Sequence, residues 1–255
     1  AFLATVSHEL KTPLTSILGY SEMLMDGTAG ELSPSQGEYA RTIFEKGEAL
    51  RRMIASVLEL TRLEGGSISP LFKTGRIDAV ITPVVSAHRV TAAAKGIALT
   101  VELSPGLPEF KFDHEKIRVM IDCLVDNAVK FTPPGGAVTI AVAVADRLRC
   151  GATGRFGAEP EPHLTLTVSD TGPGIAPAVR ARIFDPFYQV DDSDTREHGG
   201  MGIGLRLVKG YVEIHGGEIE LANGPGPGAA FAVHLPLSPP ASPAAGESAV
   251  PATRL

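Results

Sequence analysis

Cysteine is scarce in this chain: Cys123 and Cys150 are the only two in 255 residues. That is too few for a disulfide framework or a cysteine-rich metal site, and it fits a reducing compartment. No apolar run approaches the roughly 20 residues that cross a bilayer, and the N-terminus lacks a basic-then-apolar leader. The stretch therefore reads as cytoplasmic, with no membrane contact of its own. It opens without Met, in what reads as mid-helix, so a fragment is expected, and any anchor in an inner membrane would lie upstream of Ala1. Positive charge is not in excess: 23 Lys and Arg against 29 Asp and Glu leave a net charge of -6. That balance argues against a protein whose main work is coating nucleic acid. The remainder, 44% hydrophobic and 20% charged, suits one large globular domain or two modest ones.

Leu3, Leu10, Ile17 and Leu24, with a second row at Val6, Pro13 and Tyr20, form a heptad seam and predict a helix over residues 1 to 27. Gly27, Gly30 and Ser33-Pro34 mark a turn, with Ser33 as N-cap and Pro34 in the first helical position. A second helix follows, with Ile43, Leu50 and Val57 plus Met53 and Leu60, until Gly65-Gly66 stops it. A lone hairpin with so long a seam leaves much apolar surface wet, so a homodimer closing a four-helix bundle is expected. Residues 67–76 read as a linker. Beyond it, helices at 78–95, 113–131 and 202–215 alternate with strands at 97–103, 137–145, 163–169, 217–222 and 229–235. The expected class is α+β: the hairpin over 1–66, then an α/β sandwich over 77–237. Loops are expected at 146–162 and 185–200, and a disordered Pro/Ala/Ser-rich tail over 238–255.

The segment SHELKTPLTSI, residues 7–17, holds the first chemical candidate. With Leu3 and Leu10 in the seam, His8 falls opposite it and faces solvent; Thr12 lies one turn on, and Glu9 is adjacent. Neutral imidazole is a good nucleophile toward phosphorus, and a neighbouring carboxylate can hold the other ring N–H and raise its basicity. Pro13 would bend the helix just below. Taken alone, an outward His is as readily an ordinary solvated side chain.

Three further motifs follow in order. VDNAVKFT, residues 125–132, carries Asn127 and Lys130 at a helix end. An amide oxygen is a hard ligand suited to Mg²⁺, and an ammonium can neutralise phosphate, although an Asn there also serves as a cap. DTGPGI, residues 170–175, puts Asp170 at a strand end with Gly172 and Gly174 after it. Such a carboxylate can accept from the exocyclic amine of adenine, with glycines letting the backbone approach, or it can be an ordinary turn. HGGMGIGL, residues 198–205, leads Gly200, Gly202, Gly204 and Leu205 into a helix, exposing backbone N–H groups to phosphate. It also evokes a dinucleotide fingerprint, but no strand immediately precedes it.

The succession Asn127, Asp170, FDPFYQ at 184–189 and the glycine run is similar to the ATP-binding domain shared by histidine kinases, DNA gyrase, the ninety-kilodalton heat-shock chaperone and the MutL repair protein. SHELKTPLTSI resembles the phosphoacceptor box of sensor histidine kinases, so the likeness to that family covers residues 1–237. It implies that His8 accepts a phosphoryl group from ATP, that Glu9 assists as base, and that Thr12 orients water for the reverse dephosphorylation of a partner. It further implies Asn127 on Mg²⁺, Lys130 on phosphate, Asp170 on adenine, and residues 185–204 as a mobile lid anchored by buried Phe184 and Phe187. The implied partner is the receiver domain of a response regulator, whose aspartate takes the phosphoryl group.

Two departures stand out. Cys123 replaces an Asn common in the family four residues before Asn127, where gyrase-type relatives carry a water-activating glutamate. Ala229 replaces a small hydroxyl residue frequent after the last glycine. A standalone ATPase, a protein acting chiefly as phosphatase and a non-catalytic scaffold are the competing readings.

Overall fold

The computed structural model describes the backbone of residues 2–150, 156–189, 201–222 and 228–238, and the side chains of these except 2–8, 148–150 and 156–159. The outward setting expected for His8, seam positions Leu3 and Val6, the lid over 190–200 with Gly200, and the tail beyond Ser238 lie outside the described residues. By contact the chain divides into two units, Ala1–Ser69 with Ile175–Gly210, and Pro70–Gly174 with Tyr211–Leu255.

In the first unit, α1 (Phe2–Met25) and α2 (Pro34–Glu64) pack as the expected hairpin. Ser33 caps α2 in a capping box: its Oγ accepts from Gln36 N–H at 3.4 Å and its own N–H donates to Gln36 Oε1 at 2.9 Å. Helix α1 continues through Pro13, which has no N–H to give the Glu9 carbonyl. The seam differs from the expected one. Among the described side chains, Leu14, Leu18 and Ser21 are buried in α1, and Ala40, Gly47 and Leu60 in α2. Leu10, Ile17, Ile43 and Leu50 instead keep 45–49% of their surface, and Tyr20 keeps 69%. The reason is steric: small residues in α2 admit the Leu14–Leu18 face, and a Cβ on Gly47 would stand 2.8 Å from Leu18 Cδ2. Leu10, Ile17, Tyr20, Ile43 and Leu50 of the heptad rows therefore look outward from the single hairpin, whereas Leu60 is buried in it.

In the second unit, α3 (Ile77–Ala94) and α4 (His114–Phe131) pack together beside a five-stranded sheet. The sheet contains β2 (Ala98–Leu103), β4 (Ala137–Cys150), β5 (Phe156–Asp170), β6 (Glu218–Ala222) and β7 (Ala230–Pro236) in the order β2-β4-β5-β7-β6. Only β2 and β4 run parallel; the other pairs are antiparallel. Alternate residues Val138, Ile140, Val142, Leu164, Leu166, Val168, Val233 and Leu235 are buried, as are Ile117, Met120, Ile121 and Leu124 along α4. A second sheet pairs β1 (Lys73–Gly75) with β3 (Phe110–Phe112), so strand structure begins inside the stretch expected as linker.

The loop expected at 146–162 is instead mostly strand, with β4 and β5 paired out to Cys150↔Phe156. Pro160 and Pro162 lie within β5. They stand two residues apart, so both can turn the side lacking an N–H to the same edge and spare the pairing with β4. No helix among the described residues is long and apolar enough to cross a membrane.

Candidate functional site

The C-terminal end of α4 gathers the first group of candidates. The amphipathic pattern buries Leu124, Val125, Ala128 and Val129, leaving Asn127 and Lys130 half-buried on the other side. Lys95 closes the helix end: its Nζ donates to the carbonyls of Val129 and Lys130 at 2.9 and 3.0 Å. Thr132 adds an Oγ1–H bond to the Ala128 carbonyl at 2.6 Å. A cation on a helix C-terminus satisfies orphan carbonyls and opposes the dipole. Sequence reasoning missed Lys95; its position before Gly96 marks a helix end, but nothing in the sequence says that it serves a different helix.

Asn127 Nδ2 lies 3.9 Å from Cys123 Sγ, a weak bond that leaves the amide oxygen as the available acceptor. Cys123 keeps a little exposed surface, but its thiol is packed among protein atoms, and burial first, then Asp126 and Asp122, pushes it up to about 12. The thiol is neutral at physiological pH and inert as a nucleophile. Burial lowers the Lys130 ammonium from its usual range, with Asp126 opposing the shift. The ammonium sits 4.8 Å from the centre of the Phe131 ring.

Asp170 ends β5 beside this helix terminus. Its Oδ1 accepts from Gly172 N–H at 2.8 Å and Ala229 N–H at 3.2 Å, and its own N–H donates to the Ala229 carbonyl at 2.9 Å. Among the described residues no hydrogen bond to Oδ2 is present, so one carboxylate oxygen is held by main chain and the other is not. The neighbours must be glycine. A Cβ on Gly172 would come within 2.8 Å of the Phe131 carbonyl, and one on Gly228 would overlap the Asp170 carbonyl. Gly174 follows at φ 73°, a conformation glycine adopts without strain. Ala229 thus contributes through its backbone, whatever side chain it carries. Asn127, Lys130, Asp170 and Gly172 are brought to one end of this unit.

Gly202, Gly204 and Leu205 belong to the other unit. Helix α5 runs Gly204–Ile214, and its first intrahelical bond is Leu207 N–H to the Ile203 carbonyl at 3.0 Å. The amides of Gly204 and Leu205 precede that bond, the arrangement that receives anions at a helix start. Gly202, at φ 68°, is clasped by Phe187 and Tyr188: Phe187 N–H donates to its carbonyl at 3.0 Å. The expected anchoring by buried Phe187 is not what occurs. Its ring is 60% exposed and its φ is 64°, so this residue holds the segment through main chain while the ring turns to solvent. Phe184 is half-buried, with Lys209 Nζ 5.8 Å from its ring centre.

On α1, Glu9 and Thr12 are exposed. The Thr15 hydroxyl is turned back onto the Lys11 carbonyl at 2.8 Å. No cluster of three or more His, Cys, Asp or Glu suited to a metal exists among the described residues. The Asn127 amide oxygen is a hard donor of the kind that suits magnesium, which needs no such cluster.

Comparison with known proteins fits this layout. Residues 1–66 match the His Kinase A (phospho-acceptor) domain, and residues 112–239 match the histidine kinase-, DNA gyrase B-, and HSP90-like ATPase family. An uncharacterized sensor-like histidine kinase of Rhizobium meliloti is 34% identical over 92% of this chain and 42% of its own length. The circadian input-output histidine kinase CikA of Synechococcus elongatus is 34% identical over 92% of this chain and 29% of its own. This chain thus spans less than half the length of these relatives. Among solved structures, full-length ShkA in complex with AMPPNP superposes with TM-score 0.74 at 30% identity, over 94% of this chain and 46% of that one. The histidine kinase AdeS of Acinetobacter baumannii, 20% identical, shares the fold at TM-score 0.60, over 90% of this chain and 98% of that one. With a phospho-acceptor hairpin followed by an ATPase-type sheet domain, this chain belongs to the sensor histidine kinases.

Proposed function

We propose that this chain phosphorylates its own His8 from ATP and passes the phosphoryl group to an aspartate on a response regulator. The observation that carries the reading is Asp170: one carboxylate oxygen is fixed by Gly172 and Ala229, and the other is left for an adenine amine beside the helix end that bears Asn127 and Lys130. ShkA, which aligns over nearly the whole chain, was solved with an ATP analogue. Lys130 neutralises phosphate oxygens, and the amides that lead α5 are of the kind that receive anions. The amide oxygen of Asn127 would hold Mg²⁺, which would supply neutralisation of phosphate charge.

In the transfer, a lone pair of the His8 ring forms the N–P bond as the bond from γ-phosphorus to the ADP oxygen breaks, and ADP leaves with those electrons. Glu9 takes the ring proton. Catalysis of this step is chiefly positioning and charge neutralisation. Cys123, held as the neutral thiol by burial, cannot take a proton from water as a glutamate carboxylate does, which disfavours simple ATP hydrolysis. Thr12, one turn from His8 and exposed, orients water for dephosphorylation of the regulator. The outward Leu10, Ile17, Ile43 and Leu50 rows close a four-helix bundle with a second copy.

Incubation with γ-labelled ATP tests the central step. Label that is acid-labile and lost in His8→Ala is the expected result; label retained in that variant removes the assignment. Asp170→Ala should weaken nucleotide binding by about tenfold or more, as expected when a charge-assisted hydrogen bond worth 1.5–3 kcal/mol is removed. Thr12→Ala should depress regulator dephosphorylation more than autophosphorylation.

A further inference from the structure

The N-terminal end of α4, about 20 Å along the helix from Asn127 at 1.5 Å per residue, holds a buried polar junction that the reaction does not use. Asp113, the N-cap, divides its carboxylate: Oδ1 accepts from Glu115 and Lys116 N–H at 3.1 Å each, and Oδ2 accepts from Leu71 N–H at 2.8 Å. Its own N–H donates to His215 Nε2 at 3.0 Å. His215 Nδ1 meets the Tyr211 carbonyl at 2.6 Å. Because a main-chain N–H can only donate, Nε2 is the acceptor and the ring proton resides on Nδ1. Phe72 packs edge-on to the same imidazole, with ring centres 5.3 Å apart.

His215 is also where α5 stops. Gly216 N–H bonds the Glu213 carbonyl and Gly217 N–H the Val212 carbonyl, a Schellman closure with Gly216 at φ 71°. Asp113 and His215 keep only 7% and 3% of their surface, yet all of these polar atoms are paired. A fully satisfied buried network of this kind holds its members in one arrangement.

We propose that Asp113 and His215 are positioning residues that fasten the end of the connector, Leu71 and Phe72, to the C-terminal end of α5. Helix α5 is a single rod of 11 residues whose other end carries Gly204 and Leu205. Tension on the connector therefore either breaks the junction or shifts the helix start assigned above to phosphate. This inference rests on that assignment for its functional meaning, but its test needs no nucleotide.

Amide hydrogen exchange on the full chain without ATP is the test. Phe72→Ala, a change in the connector, should speed exchange at Leu207, Val208 and Lys209 by about fivefold or more, with the 164–168 strand unchanged. His215→Ala should do the same, and the double variant should be no faster than His215→Ala alone, because Phe72 acts through the imidazole. Should His215→Ala fail to fold, Phe72→Ala decides, since Phe72 is only half-buried. Acceleration confined to residues 71–75 and 211–217, additive effects, or uniform acceleration across the domain would each overturn the proposal. Failure of the ATP reading would appear separately, as unchanged nucleotide binding in Asp170→Ala.

Discussion

In the sheet domain, Leu164, Leu166 and Val233 are wholly buried, whereas Ile17, Ile43 and Leu50 of the hairpin keep nearly half their surface, although both sets stand in regular apolar rows. Periodicity reports that a face will be covered and is silent on what covers it. In β4 and β5 the cover is the chain's own helix α4. On the hairpin, Leu14 and Leu18 take the cover that α2 offers, and the heptad rows are left over. Apolar residues exposed at that spacing are the mark of a partner surface.

That contrast can be broken by mutation. The largest effect is expected in the sheet domain: Leu166→Ala removes a wholly buried side chain and should cost about 2–5 kcal/mol, read as an earlier denaturation midpoint with no change in oligomeric state. Ile17→Glu should do the reverse, weakening self-association by about tenfold or more in sedimentation (about 1.4 kcal/mol) while nucleotide binding is retained. A variant that still sediments as the parent does would show that the heptad rows are not an interface.

A smaller effect separates two histidines within the sheet domain by pH. The hydrogen bond to Asp122, 2.9 Å away, raises His88 despite partial burial, with Asp122 and Asp126 charges adding to it. Its contribution is fully present below the unfolded value near 6.5 and fades as pH rises through the higher folded value. Burial lowers His215, so its contribution is present above about 6.5 and lost as pH falls through the lower folded value. Melting from pH 5 to 8 should therefore show His88→Gln penalised more at the acid end and His215→Gln more at the neutral end. The smallest effect belongs to the hairpin surface. Glu48 and Arg51 pair at 2.7 Å in the open, and Arg51→Ala should change stability by less than about 0.5 kcal/mol.

Much of this was legible from residue types alone. Ser33-Pro34 announced the start of α2, Gly216 the end of α5, and the alternation of Leu164, Leu166 and Val168 a half-buried strand. The helix that bears Asn127 and Lys130 ends where Gly172, two residues after Asp170, lies against the Phe131 carbonyl. What escaped depends on long-range meetings. Lys95 caps a helix other than its own, Ala229 acts through main chain, and Phe187 holds by backbone rather than ring. The stretch 146–162 reads as loop because residue type does not reveal on which side of a strand a proline's missing N–H falls.

The main-chain cradle around Asp170 has one further consequence. Because Gly172 and Gly228 must be small and Ala229 contributes only peptide atoms, the site constrains bulk more tightly than chemistry. In a saturation library selected for nucleotide binding, positions 172 and 228 should reject every side chain, even alanine, while 229 accepts several small ones. Such a profile would outline the cradle by where atoms are forbidden, with Asp170 the single position in it defended for its functional group.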